Sequence, residues 1–550
     1  MKSTLTDWID RSLRAIAFHK WEIIAFVLIL GIKTANFFYL SSHTHLLDFN
    51  LFRDCDMITF HNLARSILEK GWLSSESVGL YAPLYSMIIA TLYQLFGLNC
   101  SAVILFQIVI GTLNAFLFSH IVKRLISKRA GNWALALFFL FTDFWIFELF
   151  MLREILVVFF ILLSILSVIH FQYSSKSYPQ IFIMGLIMGL SIALRENFII
   201  LLPFFTALFL VSLPGKQWLK TALVYSAGIM LILLPLLIRY YLISGQIGMS
   251  PQNGQLAWKV SNSYDSNGST CTPVKPLIPI TSPDFYHWQL TKAKVFFSGY
   301  HLPDNIDIYQ IQRQSPFLKF TFSNFGFLFA FGLIGMIWSL KEWRKFLFLY
   351  YIAVFFSVSF ILFLVISRYR FGIIPIFMFF TVYLLFMIYR SVNERKIWIS
   401  MAGVFLSIPL IYYFGDFRTI DYFKNNSWFD YRYGMLLLEK GDTIAAKAEL
   451  LNAVENPYQP TAPAFVELAR IYLKEGAIDQ AESVTQRLTR LNPDYPDANY
   501  LMAVIFFHRR DFNQSLRFYR LYAKQITGEK QIQIQQIIRM IETQLQLKPK

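Results

Sequence analysis

Charge is scarce in this sequence: 15% of its 550 residues are Asp, Glu, Lys or Arg, while 56% are hydrophobic. Cysteine is scarcer still, limited to Cys55, Cys100 and Cys271. Three cysteines make neither a disulfide framework nor a metal-ligand pattern, although a Cys55–Cys271 bridge could form if both face an oxidising compartment. Acidic residues are the minority sign, which leaves a formal charge of +16. In a soluble chain that excess would suggest nucleic acid. Here much of it sits in short clusters between apolar runs, so it reads as membrane orientation, and no nucleic-acid partner is expected. The runs recur near the ~20 residues needed to cross a bilayer, which makes the chain an all-α, polytopic membrane protein. The basic amphipathic lead-in 1–20 carries no cleavage site, so the first span is expected to stay as an anchor.

Basic clusters set the topology. Lys2, Arg11, Arg14 and Lys20 precede the first span, 21–40, and place the N-terminus in the cytoplasm. The apolar but short stretch 83–98 is read as interfacial or re-entrant on the outer face. A crossing there would send Lys123, Arg124, Lys128 and Arg129 outside. Spans at 101–122, 131–150, 155–173, 180–194, 197–213, 221–243, 320–340, 346–366, 371–389 and 397–414 then close the alternation. About eleven crossings result in a membrane domain over 21–417, with outer loops at about 41–100 and 244–316 and the C-terminal part outside.

From residue 427 to 550 the character changes. Small residues recur about every 34 positions: Gly434, Ala469 and Ala503; Gly441 and Gly476; Ala446, Ala481 and Ser515. Leu437, Tyr472 and Phe506 keep the same offset, and Pro457 and Pro493 fall near repeat ends. This resembles about three tetratricopeptide repeats (TPR) and a helical tail, which would offer a protein partner a groove. An irregular helical domain is the alternative.

The stretch 48–68, DFNLFRDCDMITFHNLARSIL, sets Asp48, Asp54 and Asp56 just beyond the first membrane exit. At helical spacing Asp56 shares a face with Phe60 and Ala64. A carboxylate at the water–lipid boundary can take a proton from an acceptor hydroxyl or help hold a metal. Asp56 could equally be the N-cap of a surface helix. The topology brings Asp54, Asp56, Glu154, Arg195 and the Arg368–Arg370 cluster to one membrane face. A charge at the bilayer centre costs about 2.5–3.5 kcal/mol, so several at span edges point to a shared polar cavity. Opposite signs there suit an acid–base residue beside a site for an anion. Against this, Arg195 and Glu196 could simply pair at a hairpin tip, and Arg368 and Arg370 could snorkel as interfacial anchors. His61 and His170 read as satisfied polar residues and Asp48 as a loop acid. No His/Cys spacing marks a metal site. A divalent cation on Asp54 and Asp56 is the one cofactor candidate.

These residues carry a resemblance. Asp56 with Phe60 and Ala64, followed by YAPLY (81–85), is similar to the first outer loop of GT-C superfamily glycosyltransferases, in particular the protein O-mannosyltransferases and the lipid A aminoarabinose transferase. GLSIALRENFIILLPF (189–204) resembles their arginine-bearing hairpin, and SRYRFGIIPIF (367–377) their RY-plus-proline segment. The resemblance implies a GT-C fold. It also implies an enzyme that moves a sugar from a polyprenyl-phosphate donor, with inversion, to a protein or glycolipid acceptor outside the cytoplasmic membrane of a bacterium. Asp56 matches the catalytic carboxylate, and Glu154 stands in the place of the second outer acid, a second catalytic residue that would orient acceptor or sugar. Arg368, Arg370 and Arg195 would meet the donor phosphate, where the planar guanidinium fork suits arginine. Asp54, Tyr81, Arg153 and Tyr369 would line the substrates. Met57 and Phe60 depart from the usual pattern after the aspartate, as do Tyr81 and Ala82 before Pro83, which leaves sugar and acceptor open. A lipid-linked glycan ligase or polymerase is the second enzyme reading, and a non-catalytic membrane scaffold displaying its repeats is the third.

The topology predicts that cysteines introduced at Ser74 and Ser427 react with an impermeant reagent in intact cells, while one at Lys128 does not. Labelling at position 128 without labelling at 427 would contradict it.

Overall fold

The computed structural model describes residues 20–52, 55–73, 81–173, 177–246, 251–263, 276–302, 304–395, 397–415, 427–456 and 460–546. Two compact units divide the chain, Met1–Phe423 and Lys424–Lys550. Among the described residues the regular structure is helical, with isolated bridges at Phe141–Phe322 and Ser263–Leu277 and no sheet.

In the first unit six stretches are long and apolar enough to cross a membrane: Lys20–His43, Cys100–Leu125, Glu154–Tyr173, Gln217–Ser244, Phe325–Phe363 and Ile374–Asn393. Phe325–Phe363 is two helices, Phe325–Ser339 and Trp343–Phe363, separated by the 3₁₀ turn Leu340–Glu342. Shorter apolar helices lie at Leu84–Phe96, Tyr178–Leu194, Glu196–Ser212 and Gly403–Gly415. The chain is therefore an integral membrane protein. Leu84–Phe96, with 13 residues, reaches only about 20 Å, short of the ~30 Å hydrocarbon core. Tyr178–Leu194 packs closely on Gln217–Ser244 because Gly185 faces Gly228, and a Cβ on either would strike the other helix's backbone.

The expected spans 180–194, 197–213 and 397–414 fall among the shorter apolar helices, and the expected span 131–150 differs more. The apolar run 131–150 is not a continuous helix: Lys128–Leu140 ends at Phe141, and a short helix, Thr142–Phe147, follows. At the break the Thr142 amide donates to Phe322 O at 3.0 Å, and the Phe322 amide donates to Leu140 O at 3.0 Å. Polar side chains explain the interruption. Thr142 Oγ1 donates to Thr321 Oγ1 at 2.8 Å, and Ser323 Oγ donates to Asp143 Oδ1 at 2.7 Å. These bonds to a second segment compete with the helical ladder, which apolarity alone would have continued.

The second unit is a series of helix pairs: Ser427–Glu439 with Thr443–Glu455, Ala462–Lys474 with Ile478–Leu491, and Pro496–His508 with Phe512–Gln525. Glu529–Gln546 packs on the last pair. The small residues that recur in the sequence sit where helices meet: Ala446, Ala469, Ala481, Ala503 and Ser515 are all 0% exposed. Each pair turns through one residue in the left-handed region, Gly441 (φ 83°), Gly476 (φ 75°) and Arg510 (φ 62°). The third turn thus places a side chain where the first two have glycine. Asp442 and Asp511 cap the next helix by accepting from the amides of Ala445 and Gln514.

A non-glycine residue in this conformation is strained by roughly 1–2 kcal/mol, part of which a glycine returns as unfolded-chain entropy. Arg510→Gly is expected to stabilise the unit by about 0.5–1 kcal/mol, read as a raised midpoint in thermal unfolding.

Candidate functional site

The site begins with a stretch of chain that is not helical. Residues 148–153, between Thr142–Phe147 and Glu154–Tyr173, are buried and need partners for their backbone groups. Side chains from elsewhere supply them. Gln107 Nε2 donates to Glu148 O at 3.0 Å and to Phe150 O at 2.7 Å, and Tyr85 Oη donates to Gln107 Oε1 at 2.6 Å. Asn50 Nδ2 donates to Leu149 O at 3.0 Å, while its Oδ1 accepts from the Met151 amide at 2.6 Å. Lys33 Nζ meets Glu148 Oε1 at 2.5 Å, both side chains being at most 3% exposed. The result is a fixed strap that delivers Arg153 and Glu154.

Asp56 stands beside it. Helix Asp56–Lys70 starts at Asp56 itself, with Cys55 in the cap position, so the alternative reading of Asp56 as an N-cap does not hold. The Asp56 amide donates instead to Asn305 Oδ1 at 2.9 Å. Its carboxylate is held on both oxygens: Tyr81 Oη donates to Oδ1 at 2.8 Å, and Arg368 Nη2 lies 2.5 Å from Oδ2. Arg368 is shared, because its Nε lies 2.9 Å from Asp304 Oδ2. The face predicted from spacing is present, with Phe60 and Ala64 buried and the Phe60 ring 4.8 Å from that of Tyr81. Burial alone would raise the Asp56 carboxyl. The Arg368 guanidinium and hydrogen bonds from Arg368, Tyr81 and Asn305 hold it below the usual carboxylate range. Asp304 moves the other way, raised by burial, with Arg368 opposing and Asp56 adding to the rise.

A cavity of about 230 Å³ opens next to this cluster, lined by Arg153, Arg195, Glu196, Asn197, Phe360, Phe363, Leu364 and Tyr369 among others. Arg195 follows helix Tyr178–Leu194, and its guanidinium lies 4.2 Å from the Tyr369 ring centre and 4.8 Å from that of Phe360. Arg195 Nη1 is 3.8 Å from Glu154 Oε1 and has no hydrogen-bond partner among the described residues. Burial, reinforced by the neighbouring Arg153, pushes Arg195 down to about 10. Arg153 Nη1 donates to Leu194 O at 3.2 Å, and its guanidinium lies 5.6 Å from the Tyr81 ring centre. A guanidinium nitrogen of Arg195 left without a hydrogen-bond partner among the described residues, with Arg153 beside it and aromatic rings as walls, suits a small anion attached to an apolar chain.

The structure brings together Asp56, Tyr81, Arg153, Glu154, Arg195, Arg368 and Tyr369. Arg370 it does not. Its side chain, 1% exposed, points into the protein and donates to the carbonyls of Tyr300 and Val295 at 2.9 Å each. The expectation that Arg370 meets a donor phosphate is corrected accordingly: it anchors segment 295–300. Arg368 too is committed, to two carboxylates, where the sequence reading gave it the phosphate. Asp54 and Cys271 lie outside the described residues. Among the described residues no group of three or more His, Cys, Asp and Glu is placed to hold a metal. Sequence reasoning missed Asp304, Asn305, Asn50 and Gln107. Asp304 and Asn305 sit in a long polar loop where nothing sets them apart. Asn50 stood inside the very stretch singled out, and Gln107, an amide in an apolar span that also carries Asn114, was the legible signal.

Residues 81–240 match a family model described as dolichyl-phosphate-mannose-protein mannosyltransferase. The matched segment, under a third of the chain, holds Tyr81, Arg153, Glu154 and Arg195. No curated protein matches the sequence. Among solved structures, the chain is similar to ArnT from Cupriavidus metallidurans bound to undecaprenyl phosphate, at 13% identity and a TM-score of 0.43, over 93% of this chain and 82% of that one. It is also similar to the Archaeoglobus fulgidus oligosaccharyltransferase tethered to an acceptor peptide, at 13% identity and a TM-score of 0.41, over 84% of this chain and 58% of that one.

The two arginine environments make a stability contrast. Arg370→Ala leaves buried carbonyls without donors, at about 1–3 kcal/mol for each group. It is expected to lower the thermal midpoint in detergent by several degrees. Arg195→Ala breaks no hydrogen bond among the described residues and removes only the cation 3.8 Å from the buried Glu154 carboxylate, so it is expected to lower the midpoint less.

Proposed function

We propose that the chain is a GT-C-type glycosyltransferase of a bacterial cytoplasmic membrane. It transfers a sugar from a polyprenyl-phosphate donor to an acceptor on the outer face, with inversion. The observation that carries this reading is the pairing of a held carboxylate, Asp56, with an arginine cavity beside it. The match of residues 81–240 to a family of lipid-phosphate-sugar transferases supports it.

The roles follow from position. Asp56 takes the proton of the acceptor hydroxyl as that oxygen attacks the anomeric carbon. Attack and departure occur in line on opposite faces of the sugar, so one displacement inverts the centre. The lipid phosphate leaves toward Arg195 and Arg153, whose fixed charges lie where negative charge grows. Glu154 holds Arg195 in place, and Tyr369 and Phe360 exclude water behind it. Arg368, given the phosphate by the sequence reading, is in this assignment the partner of the base. The C-terminal helix pairs serve as tetratricopeptide repeats that recruit an acceptor or partner protein, since they display grooves without converging acid–base groups.

Single-turnover transfer from a panel of undecaprenyl-phosphate sugars tests the assignment. Asp56→Asn keeps size and hydrogen bonding but cannot accept the proton, and is expected to slow transfer ~10²–10⁴-fold with donor binding intact. Arg195→Gln is expected to weaken binding of undecaprenyl phosphate itself. An Asp56→Asn enzyme that works at the unmodified rate, or a chain that uses none of these donors, overturns the reading.

A further inference from the structure

The arginine cavity has one wall that its charged residues do not supply. Helix Pro251–Ser261 lines it with Gly254 and Ala257, which lie three positions apart and so share a helical face. Phe363 and Leu364, where helix Trp343–Phe363 ends, add to that surface. Side chains of helix Pro283–Phe297 fix the wall in place. Trp288 Nε1 donates to Ser261 O at 2.8 Å, Gln289 Nε2 to Asn262 Oδ1 at 2.8 Å, and the buried Lys292 Nζ to Asn262 Oδ1 at 2.9 Å. Asn262 Nδ2 in turn donates to Leu362 O at 3.0 Å, next to the lining residues.

Gly254 is out of place there. Glycine inside a helix is destabilising relative to alanine, so something must compensate. The backbone supplies nothing, because Gly254 is helical and lies outside the left-handed region that glycine alone adopts readily. Packing supplies nothing either: a Cβ at Gly254 would meet no described atom within 4 Å. Where glycine does serve packing, as at Gly185 and Gly228, a Cβ would strike backbone. The space beside Gly254 is cavity, and the same cavity holds Arg195, 3% exposed, whose Nη1 has no hydrogen-bond partner among the described residues. An open volume and an unspent buried cation in one place call for a ligand.

We propose that Gly254 is a specificity-determining residue for the donor: with Ala257 it leaves the room in which the isoprenoid stem next to the phosphate lies against Phe363 and Leu364. The choice of stem over sugar follows from the lining. Polar groups come from residues 153 and 195–197, whereas Gly254, Ala257, Phe363 and Leu364 offer only apolar surface. Sugar hydroxyls placed there would give up water without a replacement partner, while isoprenoid carbons gain by leaving water. The sugar is directed instead toward Tyr81, whose ring centre is 5.6 Å from the Arg153 guanidinium, and through it to Asp56. This inference rests on the reading of the cavity as the seat of the donor phosphate.

The affinity of the full-length chain in detergent for undecaprenyl phosphate, measured beside its thermal midpoint, tests the assignment. Gly254→Leu is expected to raise that Kd ~10-fold or more, and Ala257→Leu to act in the same direction. Inorganic phosphate, which has no stem, is read by its displacement of undecaprenyl phosphate and is expected to bind Gly254→Leu as it binds the unmodified chain. The midpoint is expected to hold or rise, since leucine is the better helix former and the space is open. Unchanged undecaprenyl phosphate affinity in Gly254→Leu overturns the proposal. So does an equal loss for both probes, which would make the room the anion's, or a midpoint lowered by several degrees, which would mean that the space is not open. A change in which sugar is transferred, at unchanged lipid affinity, would give the room to the sugar and overturns it too. An unmodified chain that does not bind undecaprenyl phosphate overturns the transferase reading itself.

Discussion

Irregular backbone in the buried part of a membrane protein is tolerated only where every amide and carbonyl finds a partner. That constraint governs this molecule. Residues 148–153 leave the helical path inside the membrane unit, and Gln107, Asn50 and Lys33, from three different segments, converge to make the departure tolerable. Gly111 belongs to the same arrangement, because a Cβ there would occupy the space of the Glu148 carboxylate. Without the strap, Arg153 and Glu154 would lie on an ordinary helix with no fixed relation to Tyr81 or Arg195. The polar groups that seem out of place in apolar spans are thus the ones that shape the site.

Much of this could be read from the chain before any coordinates. Long apolar runs and basic clusters announce a helical membrane protein, and Asp56, Phe60 and Ala64 do share a helical face because spacing fixes that geometry. Repeat spacing marked the small residues that are buried between helices in the second unit. What escaped was of two kinds. Interruptions such as Phe141 depend on a partner segment almost 180 residues away, and local apolarity cannot register it. Partners such as Asp304 sit in a loop whose composition does not distinguish a site residue from a solvated one. Arg370 failed for a third reason: two arginines one residue apart look alike in sequence, yet one is spent on carbonyls and the other on carboxylates.

The second unit shows the same tension between pattern and detail. Its three left-handed turns are spaced as the small residues are, so the fold repeats more faithfully than the sequence does. Arg510 keeps the conformation that Gly441 and Gly476 adopt freely, which means that packing of the flanking helices, and not the turn residue, holds the third turn shut.

The turn Ser367–Gly372 is a 3₁₀ helix, and its geometry has a mechanical meaning. With three residues per turn, consecutive side chains leave the axis about 120° apart. Arg368, Tyr369 and Arg370 therefore point in three directions: to the two aspartates, to the Arg195 cavity, and to segment 295–300. A rigid turn of this kind works as a three-way joint. Rotation about its axis by even a small angle would move all three contacts together. Any displacement of segment 295–300 would in that way be felt at the carboxylate and at the cavity in the same motion, with no chain of intermediate residues needed to carry the signal.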